Sequence, residues 1–456
     1  MVIQINNSFS LNDLTRIKNR DTEYDINGER GNLIHFGCEY NLPMLVMQLM
    51  GSGVDLNKNR PGDGATPLII AAKKSDVQLI KSFLSSRLLD VNKSNFLGET
   101  ALFICCRNSN LFAVSLLLSC GADVSISTKK GENCFSVSFQ NGRLDIVEEL
   151  LKYCSDITQI IKQNPGALLV ATNQHHTEIV EFLLNHGYEP NSTDQDGSTA
   201  LVISCERGYQ DIVELICRHG ADLNISNRKG ETPFVAAFNK NQYHILEYLM
   251  KQPNIKTTRP GDIDWIPVLN ASMNGDLKML QLLLSFGHDM NAVNSSGWNC
   301  LMAASQGGHL DVVEFLISNK FDPNKGSKDD ETALLISVRE ADYDLLVFLL
   351  EKGADVNKPT NYKETPLMLA CKDGDSEIVQ TLLKYGANIY LISSEGWTAL
   401  FFAIVGDSLE ITKLLIEKGS PIDTVIETTP NVLHKNGRIC SNPYKSYSIT
   451  PLYLAW

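Results

Sequence analysis

The amino-acid sequence predicts an all-α fold, a solenoid of stacked helix-turn-helix units with β-hairpin fingers. Three observations predict it: a repeat of 33 to 34 residues, apolar residues at fixed positions of every copy, and a recurring glycine at the end of most copies. Repeats of this length are single supersecondary units that stack side by side. The chain is therefore expected to form an array rather than a globular core.

We align the copies on an anchor position, which is the residue directly before the first helix of each unit. The anchors are Asn32, Thr66, Thr100, Asn133, Gly166, Thr199, Thr232, Ile266, Asn299, Thr332, Thr365 and Thr398, and Thr450 starts a shorter final copy. Threonine at this position can cap the helix that follows it. Turn strings such as "STKKG" and "SNRKG" precede the anchors and are typical of a tight extended hairpin.

Two positions after the anchor the residue is always large and apolar, and five positions after it the residue is always small. The large residues are Ile34, Leu68, Leu102, Phe135, Leu168, Leu201, Phe234, Val268, Leu301, Leu334, Leu367, Leu400 and Leu452. The small residues are Gly37, Ala71, Cys105, Ser138, Ala171, Ser204, Ala237, Ala271, Ala304, Ser337, Ala370, Ala403 and Ala455. Small side chains allow two helices to approach closely, so the first helix is predicted to pack against its neighbours.

A second helix follows in each copy and ends at a glycine in most copies. Clusters such as Ile378, Val379, Leu382 and Leu383 have the spacing that buries one face of a helix. Glycine occurs 21 positions after the anchor in eight of twelve copies: Gly53, Gly121, Gly187, Gly220, Gly287, Gly353, Gly386 and Gly419. Such a glycine is predicted to adopt the left-handed conformation that terminates a helix.

These residues resemble the ankyrin repeat. The matching stretches are "GATPLIIAA" at 64–72, "GETPFVAA" at 230–237, "ETPLMLAC" at 364–371, "GGHLDVVEFLI" at 307–317 and "GADVN" at 353–357. The resemblance covers about twelve units over residues 29–423, preceded by a capping segment at 1–28 with a single helix near 9–20. An extended loop at 424–449 and the start of an incomplete thirteenth repeat at 450–456 are expected to follow.

The sequence departs from the ankyrin pattern at three points. The histidine of the family's Thr-Pro-Leu-His string is present only as His35, so the array is expected to rely more on packing than on polar contacts. Residues 154–166 lack a clean hairpin, and residues 251–267 hold three prolines and no terminating glycine. Both stretches are predicted to be joints where the stacking angle changes.

Composition narrows the class of protein. A net charge of −13 and a pI near 5.2 argue against a protein that coats nucleic acid or an anionic membrane. Residues 1–20 contain no apolar run of signal-peptide length, no stretch of the sequence approaches a membrane-spanning run, and the eleven cysteines form no CxxC pair. A cytoplasmic protein is expected, with the nucleus as the alternative location.

No constellation in the sequence predicts catalysis, a metal site or a cofactor. His186 and His219 occupy equivalent positions in adjacent units, but stacked helices lie about 8–10 Å apart, too far for two imidazoles to share zinc easily. The cysteines of the first helices (Cys38, Cys105, Cys106, Cys205 and Cys371) are interpreted as small buried hydrophobes. Cys440 is predicted to be the most exposed thiol.

The resemblance implies that a partner lies on the concave side, at the finger tips and the carboxyl ends of the first helices. By position, the aromatic candidates there are Trp265, Trp298, Trp397 and Tyr362. The alternative is that the tryptophans simply stack between fingers. Two basic clusters lie on the same side: Lys73, Lys74, Arg107, Lys129 and Lys130 form the first, and Arg207, Arg228, Lys229 and Lys240 form the second.

On an acidic protein, such clusters can steer an acidic or phosphorylated segment of a protein partner. A merely solvated face is the alternative, and nucleic acid is not expected because no aromatic residues interleave with the basic ones. The leading hypothesis is a non-catalytic interaction scaffold or adaptor. The second hypothesis is a regulatory or substrate-recruiting arm of a larger enzyme, ubiquitin-ligase adaptor or ion channel.

Overall fold

The computed structural model describes residues 3–4, 23–26, 29–154, 156–422, 426–428 and 447–449. Within these residues it contains 25 helices, and 24 of them form twelve helix pairs, one pair after each anchor from Asn32 to Thr398. The predicted all-α repeat solenoid is confirmed.

Each repeat begins with a short first helix that starts directly after the anchor. The first helices span Leu33–Glu39, Pro67–Lys73, Ala101–Arg107, Cys134–Gln140, Ala167–Asn173, Ala200–Arg207, Pro233–Asn239, Pro267–Met273, Cys300–Gln306, Ala333–Arg339, Pro366–Asp373 and Ala399–Val405. The hydroxyl of Thr66 accepts a hydrogen bond from the backbone N–H of Ile69 at 3.3 Å, and most other anchors cap in the same way. The predicted threonine caps are confirmed except at Thr398, whose side chain makes no cap bond, and each cap is worth about 1 kcal/mol.

The second helix of each repeat runs back beside the first. These helices span Pro43–Gly51, Val77–Leu84, Leu111–Ser119, Leu144–Leu151, Thr177–Asn185, Gln210–Arg218, Tyr243–Met250, Leu277–Ser285, Leu310–Ser318, Tyr343–Glu351, Ser376–Lys384 and Leu409–Glu417. Several begin at a side-chain cap that the sequence had not suggested: Asp76, Asn110, Asp276, Asp342 and Asp375 each accept a hydrogen bond from a backbone N–H of the first turn.

The eight predicted glycine terminators all adopt the left-handed conformation. Their φ angles lie between 79° at Gly220 and 89° at Gly353 and Gly386. In the ninth repeat Lys320 occupies this position with a φ of 67°, a conformation that costs a side-chain-bearing residue roughly 1–2 kcal/mol.

The two fixed positions of the first helices lie in the core, together with apolar residues of the second helices such as Ile80 and Leu117. Among the described residues, every large residue two positions after the anchor and every small residue five positions after it is buried. Where the small residue is serine, its hydroxyl donates to a carbonyl of its own helix, as Ser204 does to Leu201 at 3.0 Å. The predicted core is confirmed for all copies except the last, because Leu452 and Ala455 lie outside the described residues.

The chain divides into two compact units, Met1–Ile245 and Leu246–Trp456. In the first unit, the first helices of repeats 1 to 7 pack against one another in succession. In the second unit, the first helices of repeats 8 to 12 do the same. Each repeat therefore buries its apolar face mainly against its sequence neighbours, as a linear array requires.

The two irregular stretches differ in structure. Residues 154–166 contain an additional helix, Ile157–Gln163, in the place of a finger, which the sequence did not predict. In residues 251–267 a single bridge pairs Arg259 with Asp262 in a series of turns. The prediction that these stretches are joints remains a prediction.

Short strands lie near both ends of the described chain. Strand β1 (Ile3–Gln4) pairs in parallel with β2 (Glu23–Ile26), which pairs antiparallel with β3 (Glu29–Asn32). Strands β4 (Ile426–Thr428) and β5 (Tyr447–Ile449) form an antiparallel pair within the predicted loop at 424–449. The capping helix predicted at 9–20 and the short copy that begins at Thr450 lie outside the described residues.

Replacement of Gly353 by alanine should destabilise the fold by about 1 kcal/mol. Its φ of 89° strains any residue with a Cβ, although the space around it is open. Conversely, Lys320→Gly should raise stability by several tenths of a kcal/mol, because it removes the same strain. Urea denaturation followed by circular dichroism measures both effects.

Gly51 provides a matched control for these substitutions. It lies inside the helix Pro43–Gly51 with a negative φ and open space around it, so Gly51→Ala should be neutral or stabilising. Equal losses in Gly51→Ala and Gly353→Ala would contradict the assigned role of the terminator.

Candidate partner-binding face

We call the residues between the second helix of one repeat and the anchor of the next a finger, and the surface made by fingers and first-helix ends the finger face. Each regular finger is closed by a backbone hydrogen bond, such as that from Asn95 N–H to Glu99 O at 3.0 Å. The Asn95 side chain also accepts hydrogen bonds from the N–H groups of Leu97 and Glu99, both at 2.9 Å. These bonds fix the turn without the help of tip side chains.

A short polar residue occupies the position of Asn95, five residues before the anchor, in the fingers that precede eight of the anchors. The residues are Asn95, Thr128, Asp194, Asn227, Asn294, Ser327, Thr360 and Ser393. The fingers are therefore turns with the outline of a hairpin rather than pairs of strands. Among the described fingers, an antiparallel bridge is assigned between Thr193 and Thr199 and within the turns that hold Arg259 and Asp262.

Neighbouring fingers are joined tip to tip by backbone hydrogen bonds of 2.8–3.1 Å. The bonds run from Phe96 N–H to Asp63 O, Lys129 to Leu97, Arg228 to Asp196, Lys328 to Ser296, Asn361 to Asp329, and Ser394 to Tyr362. At the ninth repeat, the carboxylate of Asp264 accepts from Ser295 N–H at 2.7 Å instead. Within residues 156–198 no such bond joins the fingers, because the helix Ile157–Gln163 takes the finger's place.

The first basic cluster is largely neutralised by neighbouring carboxylates. Its ion pairs are Lys73 with Asp63 at 2.8 Å, Lys74 with Glu39 at 2.7 Å, and Arg107 with Glu99. Lys129 and Lys130 are exposed, and neither side chain has an ion pair within the described residues. Of the five predicted cations, these two are the ones whose charge is available to a partner.

Asp63 is the centre of the ion-pair network around this cluster. It accepts hydrogen bonds from Arg60 at 2.9 Å, from Lys73 at 2.8 Å and from the backbone N–H of Ala65 at 3.0 Å. Burial raises the pKa of the Asp63 carboxyl, but the hydrogen bonds from Arg60 and Lys73 outweigh it and hold the pKa well below its ordinary value. Lys73 is thus part of the framework of the finger.

The second basic cluster surrounds a groove of about 370 Å³ in the first unit. Arg207, Arg228 and Lys229 line this groove, and all three are exposed. Lys240 does not line it, and its Nζ lies 3.7 Å from Glu206 Oε1. The structure therefore brings three of the four predicted residues to one concave feature.

The four aromatic candidates differ in exposure. Trp265 is buried, with 8% of its surface exposed, whereas Trp298 and Trp397 are half-buried. The ring of Trp397 packs against Phe401 at 4.6 Å and Phe402 at 5.4 Å between ring centroids. Tyr362 is 72% exposed at a finger tip. Trp265 is therefore enclosed by the fold, and Tyr362 is the one of the four candidates whose side chain mainly faces solvent.

A family model described as ankyrin repeats (3 copies) matches the chain in overlapping segments, at residues 34–128, 83–161, 113–194, 167–259, 268–360 and 357–426. The chain belongs to the ankyrin repeat family. It is also 32% identical over 95 residues to an ankyrin repeat protein of fowlpox virus (strain NVSL). That stretch is 21% of this chain and 28% of the viral protein, so the match covers little more than a quarter of that relative.

His35 is the histidine of the ankyrin pattern, and the structure encloses it. It is 2% exposed, and its Nε2 lies 2.8 Å from the backbone carbonyl of Lys58. Burial lowers its pKa from 6.5 to about 4. The residues that replace this histidine elsewhere, such as Ile69 and Leu335, are also buried, in agreement with an array that relies on packing.

The histidines and cysteines of this ankyrin array that were considered for metal binding or reactivity are hydrogen-bonded or buried within the described part of the fold. His186 and His219 each lie within 2.9 Å of a carbonyl oxygen one turn earlier in their helices. Cys38, Cys105, Cys106, Cys205 and Cys371 are buried, which confirms that they pack as small hydrophobes. Burial also raises the pKa of Cys371 to about 12, which disfavours the reactive thiolate. Cys440 lies outside the described residues.

Neither a metal site nor a membrane span is found in the part of the chain that the structure describes. No group of three or more His, Cys, Asp or Glu side chains there could hold a metal ion. The helices there are all too short or too polar to cross a bilayer.

Exposed apolar residues on the finger face had not been predicted. Phe96, Leu97 and Ile263 are 51%, 59% and 87% exposed near finger tips, and Val170 is 40% exposed on a first helix. Phe96, Leu97 and Ile263 could have been found in the sequence, because each is an apolar residue at a tip position that is polar in most copies. The exposure of Val170 could not have been found in this way, because it depends on how the neighbouring stretch folds.

The buried His35 should make the stability of the first repeat depend on pH. The folded pKa of about 4 lies below the unfolded value of 6.5, so the stabilisation is complete above pH 6.5 and is lost as the pH falls towards 4. Between pH 7 and pH 5 we expect a loss of roughly 2 kcal/mol in the first repeat. Hydrogen exchange of residues 33–51 at both pH values measures it.

His35→Gln keeps a group that can donate to the Lys58 carbonyl but cannot titrate in this range. In this variant, the protection of residues 33–51 against hydrogen exchange should change less between pH 7 and pH 5 than in the unmodified chain. The same loss of protection in both proteins would show that His35 is not the titrating group.

Proposed function

We propose that this ankyrin protein is a non-catalytic interaction scaffold or adaptor that holds a protein partner on its finger face. The observation that carries the proposal is the construction of the fingers. Their turns are closed by backbone bonds and short polar side chains, so tip residues such as Tyr362 are exposed without having a role in closing the turn. Exposed side chains that the fold does not require, carried on a hydrogen-bonded backbone, are well suited to surface recognition.

The charges on this face favour a partner with an acidic or phosphorylated segment. Once the internal ion pairs are taken into account, Lys129, Lys130, Arg207 and Arg228 have no carboxylate partner within the described residues. Positive charges on an otherwise acidic protein attract negatively charged segments of a partner. Lys73, Lys74, Arg107 and Lys240 contribute less to binding, because each is already paired.

We place this interaction in the cytoplasm or the nucleus. The cysteines within the described residues are free thiols, and most of them are buried in the array. A reducing compartment suits such a protein, since its stability does not depend on disulfides there.

Crosslinking during affinity purification from cells tests the proposal. Partner peptides should crosslink to the finger face, and Lys129→Glu/Lys130→Glu together should lower recovery of those partners about tenfold, since two attractive charges become repulsive. Tyr362→Ala should weaken capture by partners that contact the second unit.

Lys81→Glu/Lys413→Glu is the matched control, because both residues are exposed on second helices, Val77–Leu84 and Leu409–Glu417, away from the fingers. This control should recover the same partners as the unmodified chain. Crosslinks confined to second helices, with unchanged recovery by the finger variants, would rule out the proposed face.

A further inference from the structure

The row of fingers in the first unit has a gap at the fifth repeat. The helix Ile157–Gln163 occupies the stretch where a finger is expected, and no tip-to-tip hydrogen bond is formed across it. The groove of about 370 Å³ lies directly after this gap. It is lined by the first helices of repeats 5 and 6 and by the fingers of repeats 6 and 7.

An apolar side chain is uncovered at the base of this groove. Four positions after the anchor, the residue is at most 7% exposed in most repeats, as at Ile70, Ile104, Val137, Ala236, Ala303, Ile336 and Phe402. Val170 is the equivalent residue of repeat 5 and is 40% exposed. We attribute this exposure to the missing finger. With the half-buried Leu169 and Ile203 it forms an apolar floor.

The rim of the groove carries two guanidinium groups without partners. Arg207 and Arg228 are exposed, and neither side chain has a hydrogen bond or an ion pair within the described residues. Arg228 is nevertheless fixed by its backbone, because its N–H donates to Asp196 O at 2.9 Å. Guanidinium groups bind carboxylates through paired hydrogen bonds, and here both are held beside an apolar surface.

The carboxylates that line the groove are mostly engaged. Glu206 pairs with Lys240, and Glu231 accepts from Asn227 at 2.9 Å and from Asn239 at 3.2 Å. Asp194 accepts backbone N–H groups within its own finger. Asp196 remains without a side-chain partner in the described residues. Neutral donors leave the negative charges of Glu231 and Asp194 in place, so these acids repel a singly charged carboxylate of a partner less than they repel a dianionic phosphate.

We propose that this groove seats a short extended segment of a partner in which a large apolar residue adjoins aspartate or glutamate. The apolar side chain packs on Val170 and Ile203, and the carboxylate binds Arg207 and Arg228. The volume is that of a small ligand pocket, enough for one anchoring side chain and its neighbours. The inference rests on the proposed function and specifies the chemistry of the segment that is bound.

Selection from a phage-displayed library of random twelve-residue peptides on the purified full chain tests this site. Enriched peptides should share leucine, isoleucine or phenylalanine next to aspartate or glutamate. Binding of one enriched peptide, labelled with fluorescein, is then measured by fluorescence anisotropy against a set of variants.

Val170→Asp, Arg207→Ala and Arg228→Ala should each weaken binding about tenfold or more, because each removes one element of the recognition. Arg87→Ala and Lys81→Ala are matched controls outside the groove and should leave the affinity within twofold. Arg207, Arg228 and the two control residues are exposed cations, and Val170 is solvent-accessible. The variants are therefore expected to fold, and circular dichroism checks that they do.

A phosphoserine version of the peptide, with phosphoserine in place of the acidic residue, should bind more weakly than the carboxylate version. Equal or tighter binding of the phosphopeptide would overturn the preference for carboxylate. Enrichment of peptides without the apolar-acidic pair, or no loss of affinity in the three groove variants, would overturn the groove itself. That result would not change the crosslinks between partners and the other fingers. The proposed function is therefore tested by the crosslinking experiment, independently of the groove.

Discussion

Burial of each repeat's apolar face by the adjacent repeats is the interaction on which this structure depends. A large residue two positions after the anchor fills the space between helices, and a small residue five positions after it sets how closely they approach. A single helix pair exposes both positions, and burial of a large apolar side chain contributes roughly 1.5–3 kcal/mol. Stability is therefore shared between neighbours, and the effect of a local change falls mainly on the repeat that contains it and on those next to it.

In the same arrangement, the residues that maintain the fold are different from the residues that can bind a partner. Polar residues that maintain the backbone lie at fixed positions: Thr66 and its equivalents cap helices, and Asn95 and its equivalents close fingers. Several cations that seemed available for binding also belong to this framework, since Lys73, Lys74 and Arg107 are held by carboxylates. The remaining exposed side chains, at the finger tips and around the groove of the first unit, are the ones that can bind a partner.

Much of the fold could be predicted from the sequence because the determining signals recur in register. The anchors, the core positions and the glycine terminators are local in the chain, and each copy repeats them. The helix Ile157–Gln163 could not be predicted in this way, since it replaces a repeated feature and no other copy shows its pattern. The ion pairs escaped prediction for a different reason: whether Lys74 reaches Glu39 depends on side chains 35 residues apart across two repeats. For Trp265, position alone indicated a finger but could not show that the ring is buried.

The short polar residue that closes each finger has a consequence for how the protein can change over time. Because Asn95, Asp194 and their counterparts hold the turn, the side chains of the two residues that follow each of them at the tip are nearly exempt from folding constraints. Substitutions there alter surface chemistry at little cost in stability. Lineages that carry such a chain can therefore acquire new binding preferences one tip at a time, while the scaffold underneath is inherited unchanged.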